Sequence, residues 1–293
     1  MSFITFVTDT SNYVVQSIEQ CRQLPPPEIP AEQYFPTQEP GTRISRALPY
    51  QFVAEDKSIT VGNGDIEMVF ELSNTGTGGA PFMLLDITNL ATVAPRQYTV
   101  EGGRGLSDTL LIPYAEDSAT YHLTLVGPNG FAREFLGNAQ DVGCVGVSST
   151  LQYKETEDSV VVVVDNRGGH TVNIVVTDNA YGSGGPYEAT LASGKVYTKE
   201  VYTKDSGNWY DLTAAVSGEG AVCSSRRFMG RMETGKDTIS DPAMAAGVSG
   251  LLDNKAPRQH PPVPERLRTV KRNFLATAAG KDSVFYDDPK DEL

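Results

Sequence analysis

Three histidines, three cysteines and 37 carboxylates are the raw material for chemistry in this 293-residue chain, and their spacing withholds most of it. His122, His170 and His260 lie in different segments, with no HxH or HxxxH spacing to hold a metal. No GxSxG elbow, Walker loop or HExxH pair occurs either. No catalytic residue is therefore assigned, and neither metal nor cofactor is expected. Asp65, Asp86 and Asp178 sit in turn contexts where acidic sandwich loops can take calcium, but solvated loop carboxylates are the default reading. Cys21, Cys144 and Cys223 have no CxxC spacing and are odd in number, which reads as free buried thiols; a Cys144–Cys223 pair is the alternative in an oxidising compartment.

The stretch "GPNGFAREFLGN", residues 127–138, has the glycines and the arginine of an anion cradle. A phosphate cradle, however, leads into a helix, and none is signalled here. Proline followed by Asn-Gly is hairpin chemistry, because Asn and Gly tolerate positive φ. The following strand then alternates, with Phe131, Arg133 and Phe135 on one face and Ala132, Glu134 and Leu136 on the other. Arg133, between two phenylalanines, is expected to reach the rim and pair with a carboxylate of another domain. Later, Tyr181, Tyr187, Tyr197, Tyr202, Trp209 and Tyr210 crowd near turns and strand ends. Aromatic faces attract quaternary ammonium groups, so Trp209, Tyr210 and Tyr181 are candidate choline-headgroup or domain-interface residues; ordinary core and cross-strand packing is the default reading.

The elements that must position these residues are strands. Residues 13–22 read as one short helix, and "LPPPEIPAEQYFPTQEPGTRISRALPY" as an extended Pro-rich connector. From Gln51 onward, short β-prone runs such as "DIEMVFELSN" and "YHLTLVGPNG" are separated by Gly, Asn, Asp and Pro clusters, the grammar of an antiparallel sandwich. That grammar starts again: Asn166 stands to Asn74, Tyr210 to Tyr121 and Phe228 to Phe135 at nearly constant offsets. The fold class expected is all-β. Two tandem antiparallel β-sandwich domains, 51–140 and 150–243, follow a connector over 1–50 and precede a largely irregular tail over 244–293, with one possible helix at 264–278. Arg133 then answers to Arg226 and Arg227 in the second repeat, and these arginines are expected to fasten domains together.

The formal net charge is −13. The tail holds 8 of the 24 Lys+Arg and 7 of the 37 Asp+Glu, so the acidic excess lies in the body. Such a body argues against nucleic acid and against anionic lipid, while leaving zwitterionic choline lipids open as partners. No apolar run approaches the ~18 residues of a transmembrane span, and the N-terminus does not read as a signal peptide. The final "KDEL" would act as an endoplasmic-reticulum address only with a signal peptide supplied.

Five motifs, "PTQEPGTRISRALPY", "GPNGFAREFLGN", "TDNAYG", "NWYDLT" and "RRFMGRMETGKDTISDPA", in this order, resemble the C-terminal region of the bacterial phosphocholine-preferring phospholipases C, the non-zinc class related to acid phosphatases. The resemblance runs from about Tyr13 to Met244. It implies a large catalytic domain preceding a Pro-rich connector and two accessory sandwiches. The implied parent reaction is hydrolysis of phosphatidylcholine or sphingomyelin to phosphocholine and a lipid. None of the catalytic motifs is in this chain, so no catalytic residue carries over. What carries over is the connector around Gln38, Glu39, Arg43 and Arg46, with Arg43 and Arg46 as further expected inter-domain contacts, and a phospholipase C catalytic domain as partner in cis or in trans. A stand-alone lipid- or carbohydrate-binding sandwich is the alternative, and an enzyme with its own site in the sandwiches is a third.

Overall fold

Strict alternation of apolar and polar residues drives the architecture. In β3 (Asp65–Asn74), Ile66, Met68, Phe70, Leu72 and Asn74 are all fully buried while the residues between them face outward. The computed structural model of the chain describes residues 17–23, 41–62, 64–114, 119–218 and 222–244. The expected helix at 264–278, the irregular tail and the KDEL terminus lie outside the described residues, as does most of the Pro-rich connector. Of the expected helix at 13–22, α1 (Ile18–Arg22) is described; it belongs to a first unit that ends at Gln38.

In the second unit, from Glu39 onward, the described residues form an all-β fold whose strands pair antiparallel. The first repeat contains β2 (Phe52–Val61), β3, β4 (Ala80–Asp86), β5 (Arg96–Val100), β6 (Arg104–Pro113), β7 (Thr120–Val126) and β8 (Ala132–Asn138). Strands β2, β3 and β6 form one sheet of order β2-β3-β6, packed over the sheet portion β8-β7-β4-β5. The second repeat contains β9 (Val147–Lys154), β10 (Ser159–Asn166), β11 (Val172–Asp178), β12 (Tyr187–Leu191), β13 (Lys195–Tyr202), β14 (Trp209–Ser217) and β15 (Val222–Arg231). It repeats the plan, with β13-β10-β9 over β12-β11-β14-β15. Each repeat thus encloses its own apolar core, one around Phe70 and Phe135 and the other around Leu212 and Phe228.

The duplication extends to single hydrogen bonds. Asn74 ends β3 and donates to the Gly78 carbonyl while its Oδ1 accepts the Gly76 N–H; Asn166 ends β10, donates to the His170 carbonyl and accepts the Gly168 N–H. Both asparagines are fully buried, so each must satisfy the turn around it.

The tandem sandwiches are not separate bodies. Strand β8 pairs with β15, which fuses the two larger sheets into one of eight strands, β12-β11-β14-β15-β8-β7-β4-β5. Each repeat alone would expose β8 or β15 as an edge with unpaired N–H and C=O groups, and joining them covers both edges at once. A two-stranded ribbon of β1 (Ile44–Ser45) and β16 (Thr238–Ile239) completes the described fold.

Cys144 and Cys223 form a disulfide, their Cα atoms 5.9 Å apart. This corrects the expectation of free buried thiols. The segment after β8 brings Cys144 against β15 within the second core, a proximity that a sequence separation of 79 does not disclose.

Candidate functional site

The loop in "GPNGFAREFLGN" is a hairpin. Asn129 and Gly130 take φ of 56° and 72°, and the Phe131 N–H donates to the Pro128 carbonyl, so β8 returns along β7 with Ala132 opposite Val126. That turn sets the phase of β8 and aims Arg133 inward, where it is 2 % exposed.

Arg133 and Arg226 form a reciprocal pair across the β8–β15 seam. Arg133 lies opposite Phe228, and Arg226 lies opposite Phe135. Nη1 of Arg133 donates to the carbonyls of Ala132 and Met229, and Nη1 of Arg226 to those of Ser225 and Leu136. Each guanidinium also reaches the equivalent tyrosine of the other repeat: Arg133 donates to Tyr210 Oη at 3.1 Å and Arg226 to Tyr121 Oη at 2.8 Å. Each sits 5.5 Å from the opposing phenylalanine ring, Phe228 or Phe135. Tyr121 and Tyr210 can lie across their neighbouring strands because glycines stand opposite them. A Cβ on Gly137 would meet Tyr121 Oη at 2.5 Å, and one on Gly230 would meet Tyr210 Oη at 3.0 Å.

The symmetry breaks in the counter-charge. Arg226 makes a bidentate pair with Asp56 of β2, Nε to Oδ1 at 2.9 Å and Nη2 to Oδ2 at 2.8 Å. Their side chains are 4 % and 7 % exposed. Burial alone disfavours the Arg226 cation, but Asp56 and the Tyr121 hydroxyl outweigh it and hold the guanidinium above its usual pKa. Burial likewise pushes the Tyr121 phenol up, against the opposing pull of Arg226. Arg133 has tyrosines where Arg226 has a carboxylate. It donates to Tyr153 Oη at 3.0 Å, and Tyr153 and Tyr210 share a hydrogen bond of 2.8 Å. Tyr153 in turn donates to the Phe52 carbonyl of the first repeat. Burial and the neighbouring Tyr210 push the Tyr153 phenol well up. The expectation that Arg133 meets a carboxylate is thus corrected: the carboxylate belongs to Arg226, because Asp56, two residues beyond Ala54 and in phase with it and Phe52, lies on the inward face of β2.

On the outward face of the same seam, Glu134 stands opposite Arg227. Arg227 makes its close pair with Asp211 of its own repeat, at 2.8 and 2.7 Å, and is 3.9 Å from Glu134. The hydrogen bonds that Arg227 donates to Asp211 are the main reason its pKa stands above the usual value.

Trp209 and Tyr210, candidates for a wet binding surface, are 7 % and 2 % exposed. Trp209 donates Nε1–H to the Ile239 carbonyl, with Arg231 5.7 Å from its ring, and Tyr210 belongs to the seam. Ordinary packing accounts for both rings: Tyr210 faces the second core and the seam, and Trp209, its neighbour on the opposite face of β14, is covered where the β1–β16 ribbon crosses it. Tyr181 is half-buried and donates to Asp241 at 2.9 Å; burial and that carboxylate push its phenol up. Asp86 is buried and capped by Asn89, and Asp178 accepts the N–H groups of Ala180, Tyr181 and Ser183. Asp65 opens β3. Among the described residues no group of three or more His, Cys, Asp or Glu could hold a metal. Among them, too, no helix is long and apolar enough to cross a membrane.

Arg231, which sequence reasoning passed over, anchors the connector. It donates to Ser45 Oγ at 2.6 Å, to the Arg46 carbonyl at 3.0 Å and to Glu233 at 2.9 Å. Glu233 accepts the Leu48 N–H, and Asp237 accepts the Ala47 N–H. Arg43 pairs through its backbone with Ser240, while Arg46 is exposed and contributes its carbonyl. Asp56, Tyr153 and Arg231 were all missed. The signal was present for Asp56, an acid on the inward phase of Phe52 and Ala54, and for Arg231, the last arginine of "RRFMGR".

Comparison with known proteins accounts for both repeats. The family "Bacterial phospholipase C, C-terminal domain" matches twice, over residues 44–138 and 147–231. A non-hemolytic phospholipase C of Pseudomonas aeruginosa is 34 % identical over 230 residues, 77 % of this chain and 32 % of that protein. Another from Burkholderia pseudomallei is 34 % identical over 223 residues, 75 % of this chain and 30 % of that protein. A hemolytic phospholipase C of P. aeruginosa is 29 % identical over 228 residues, 72 % of this chain and 30 % of that protein. The matches span about a third of these relatives' own length.

Proposed function

Because the chain belongs to the bacterial phospholipase C C-terminal domain family, we propose that it is the non-catalytic accessory region of a phospholipase C acting on phosphatidylcholine or sphingomyelin. It packs two fused sandwiches against a catalytic domain, in cis or in trans, and so helps position that domain at a choline-lipid surface. The observation that carries this reading is where the charged side chains are spent. Arg133, Arg226, Arg231 and Asp56 bond to other parts of the same fold, and their partners are tyrosine and serine hydroxyls, backbone carbonyls, the Glu233 carboxylate and one another. A catalytic site requires a nucleophile, a base and a charge-stabilising group converging on open space. A rigid scaffold requires the internal satisfaction found in the seam.

The burial of Trp209 and Tyr210 favours packing over the stand-alone lipid-binding alternative. The test combines the full chain with the part of the P. aeruginosa non-hemolytic relative that precedes its matched third. Association, with a change in phosphocholine release from phosphatidylcholine, is the expected result. Lack of association, or diester hydrolysis by this chain alone, would overturn the reading. Flotation of the chain alone on phosphatidylcholine liposomes would instead support the lipid-binding alternative.

A further inference from the structure

The described body is entered and left at one corner. Ile44 pairs with Ile239 and Ser45 with Thr238, and the backbone of Arg43 exchanges hydrogen bonds with Ser240. A two-stranded ribbon is marginal in water by itself. This one is fixed from below by buried groups. The Arg231 side chain, 0 % exposed, holds Ser45 and Arg46; Trp209 holds the Ile239 carbonyl; and Thr238 donates to the Gly207 carbonyl. Gly207, at φ +69°, leaves room for Ile239 against its Cα.

On this fixed ribbon stands Ile44, 83 % exposed and the most exposed large hydrophobic residue of the described body. Along the chain on either side of it Arg43 and Arg46 are exposed, and Lys236 and Asp237, also exposed, lead into the opposing strand β16, in a chain whose net charge is −13. An apolar knob with a mainly cationic rim has the layout of an interface anchor rather than of a solvated surface.

Resting on the accessory reading above, we propose that this corner, centred on Ile44, is where the catalytic region of a phospholipase C docks. The family match opens at residue 44, on the ribbon itself, and the family is a C-terminal domain. A catalytic region that precedes such a C-terminal domain reaches the body along this strand. A partner joined here is confined to the neighbourhood of Ile44 by its tether, which raises its effective concentration at this corner above that at any other face. The complementary surface is an apolar recess bordered by carboxylates. Rigid anchoring by Arg231 serves that role, since a preordered ribbon loses less freedom on docking.

The test uses the full chain and the P. aeruginosa relative lacking its matched third, with affinity measured by titration calorimetry. Ile44→Glu is expected to raise Kd at least about tenfold. The double variant Arg43→Glu/Arg46→Glu is expected to raise Kd comparably and to flatten its dependence on salt. Leu111→Glu, an exposed position on β6, should leave Kd within about twofold, as rim and off-site substitutions do. Because Ile44 and Arg46 are exposed, the melting temperature of each variant should match the wild type. Wild-type binding that neither corner variant weakens would overturn this docking surface and leave the accessory reading standing. Failure of the wild-type chain to bind would overturn both.

Discussion

Replacing Asp56 by Asn strands the Arg226 cation inside the seam. The two side chains are 4 % and 7 % exposed and meet through two bonds of 2.8 and 2.9 Å, so water cannot stand in for the lost charge. Breaking a buried pair of this kind costs about 3–5 kcal/mol. For a body of this size that is a fall in melting temperature of roughly 6–20 °C, at roughly 2–4 °C per kcal/mol. Arg226→Met leaves Asp56 uncompensated and should cost a similar amount. The double variant Asp56→Leu/Arg226→Met removes both charges, and its loss should be well below the sum of the singles, since apolar replacement of a buried pair is often close to neutral. Equilibrium urea unfolding of the four proteins, followed by Trp209 fluorescence, closes the cycle. A coupling of about 2 kcal/mol or more is expected. Additive single losses would refute the assignment of Asp56 as the counter-charge of Arg226, because unlinked substitutions do not share a penalty.

The fused sheet predicts that both repeats unfold in one cooperative transition, and that Arg133→Ala does not split it but lowers its midpoint; two resolved calorimetric peaks in the wild type would contradict this. The Cys144–Cys223 disulfide closes 79 residues, and Cys223→Ser should cost about 2–4 kcal/mol, with alkylation of both residues only after reduction as the mass-spectrometric check. Tyr121 and Tyr153 have phenol pKa values raised above the ordinary value of about 10, so the folded state favours the neutral phenol. Their contribution to stability is complete below pH of about 10 and is lost as pH rises toward the folded-state values; the chain should therefore unfold more easily in alkali, and Tyr153→Phe should flatten that slope. Gly207→Ala, which sets a methyl group against Ile239, should red-shift the emission of Trp209, the single tryptophan, by loosening the ribbon that covers it.

Much of this was legible along the chain because it is local. The period-2 burial of "DIEMVFELSN" and the Asn-Gly turn of residues 127–130 depend on neighbours a few positions away, and both stand in the fold. The repeat was legible for the same reason, since Asn74 and Asn166 each organise their own turn. The arginines invited a reading as fasteners, but not which atom each would meet. Arg133 was expected to find a carboxylate and found Tyr153 and Tyr210, because its partner is chosen by strands more than a dozen residues distant. Trp209 and Tyr210 left two readings open for a related reason. Aromatic residues at a strand end suit a wet surface or a core equally, and only the neighbouring strand and ribbon decide which.

The sequence by itself determined strands, turns, a duplicated plan and membership in a family, all consequences of side-chain period and local backbone preference. The tertiary structure decided that the two sandwiches share a sheet, that Cys144 reaches Cys223 and that Asp56 neutralises Arg226. The first depends on one strand edge meeting another, and the other two on a connection and a second layer folded over the joined sheet. Edge groups are the same N–H and C=O in every strand, so nothing in the residue types names the partner. The choice falls to packing: with β8 against β15, two edges are covered, two arginines reach tyrosines of the opposite repeat, and the cores close on both sides.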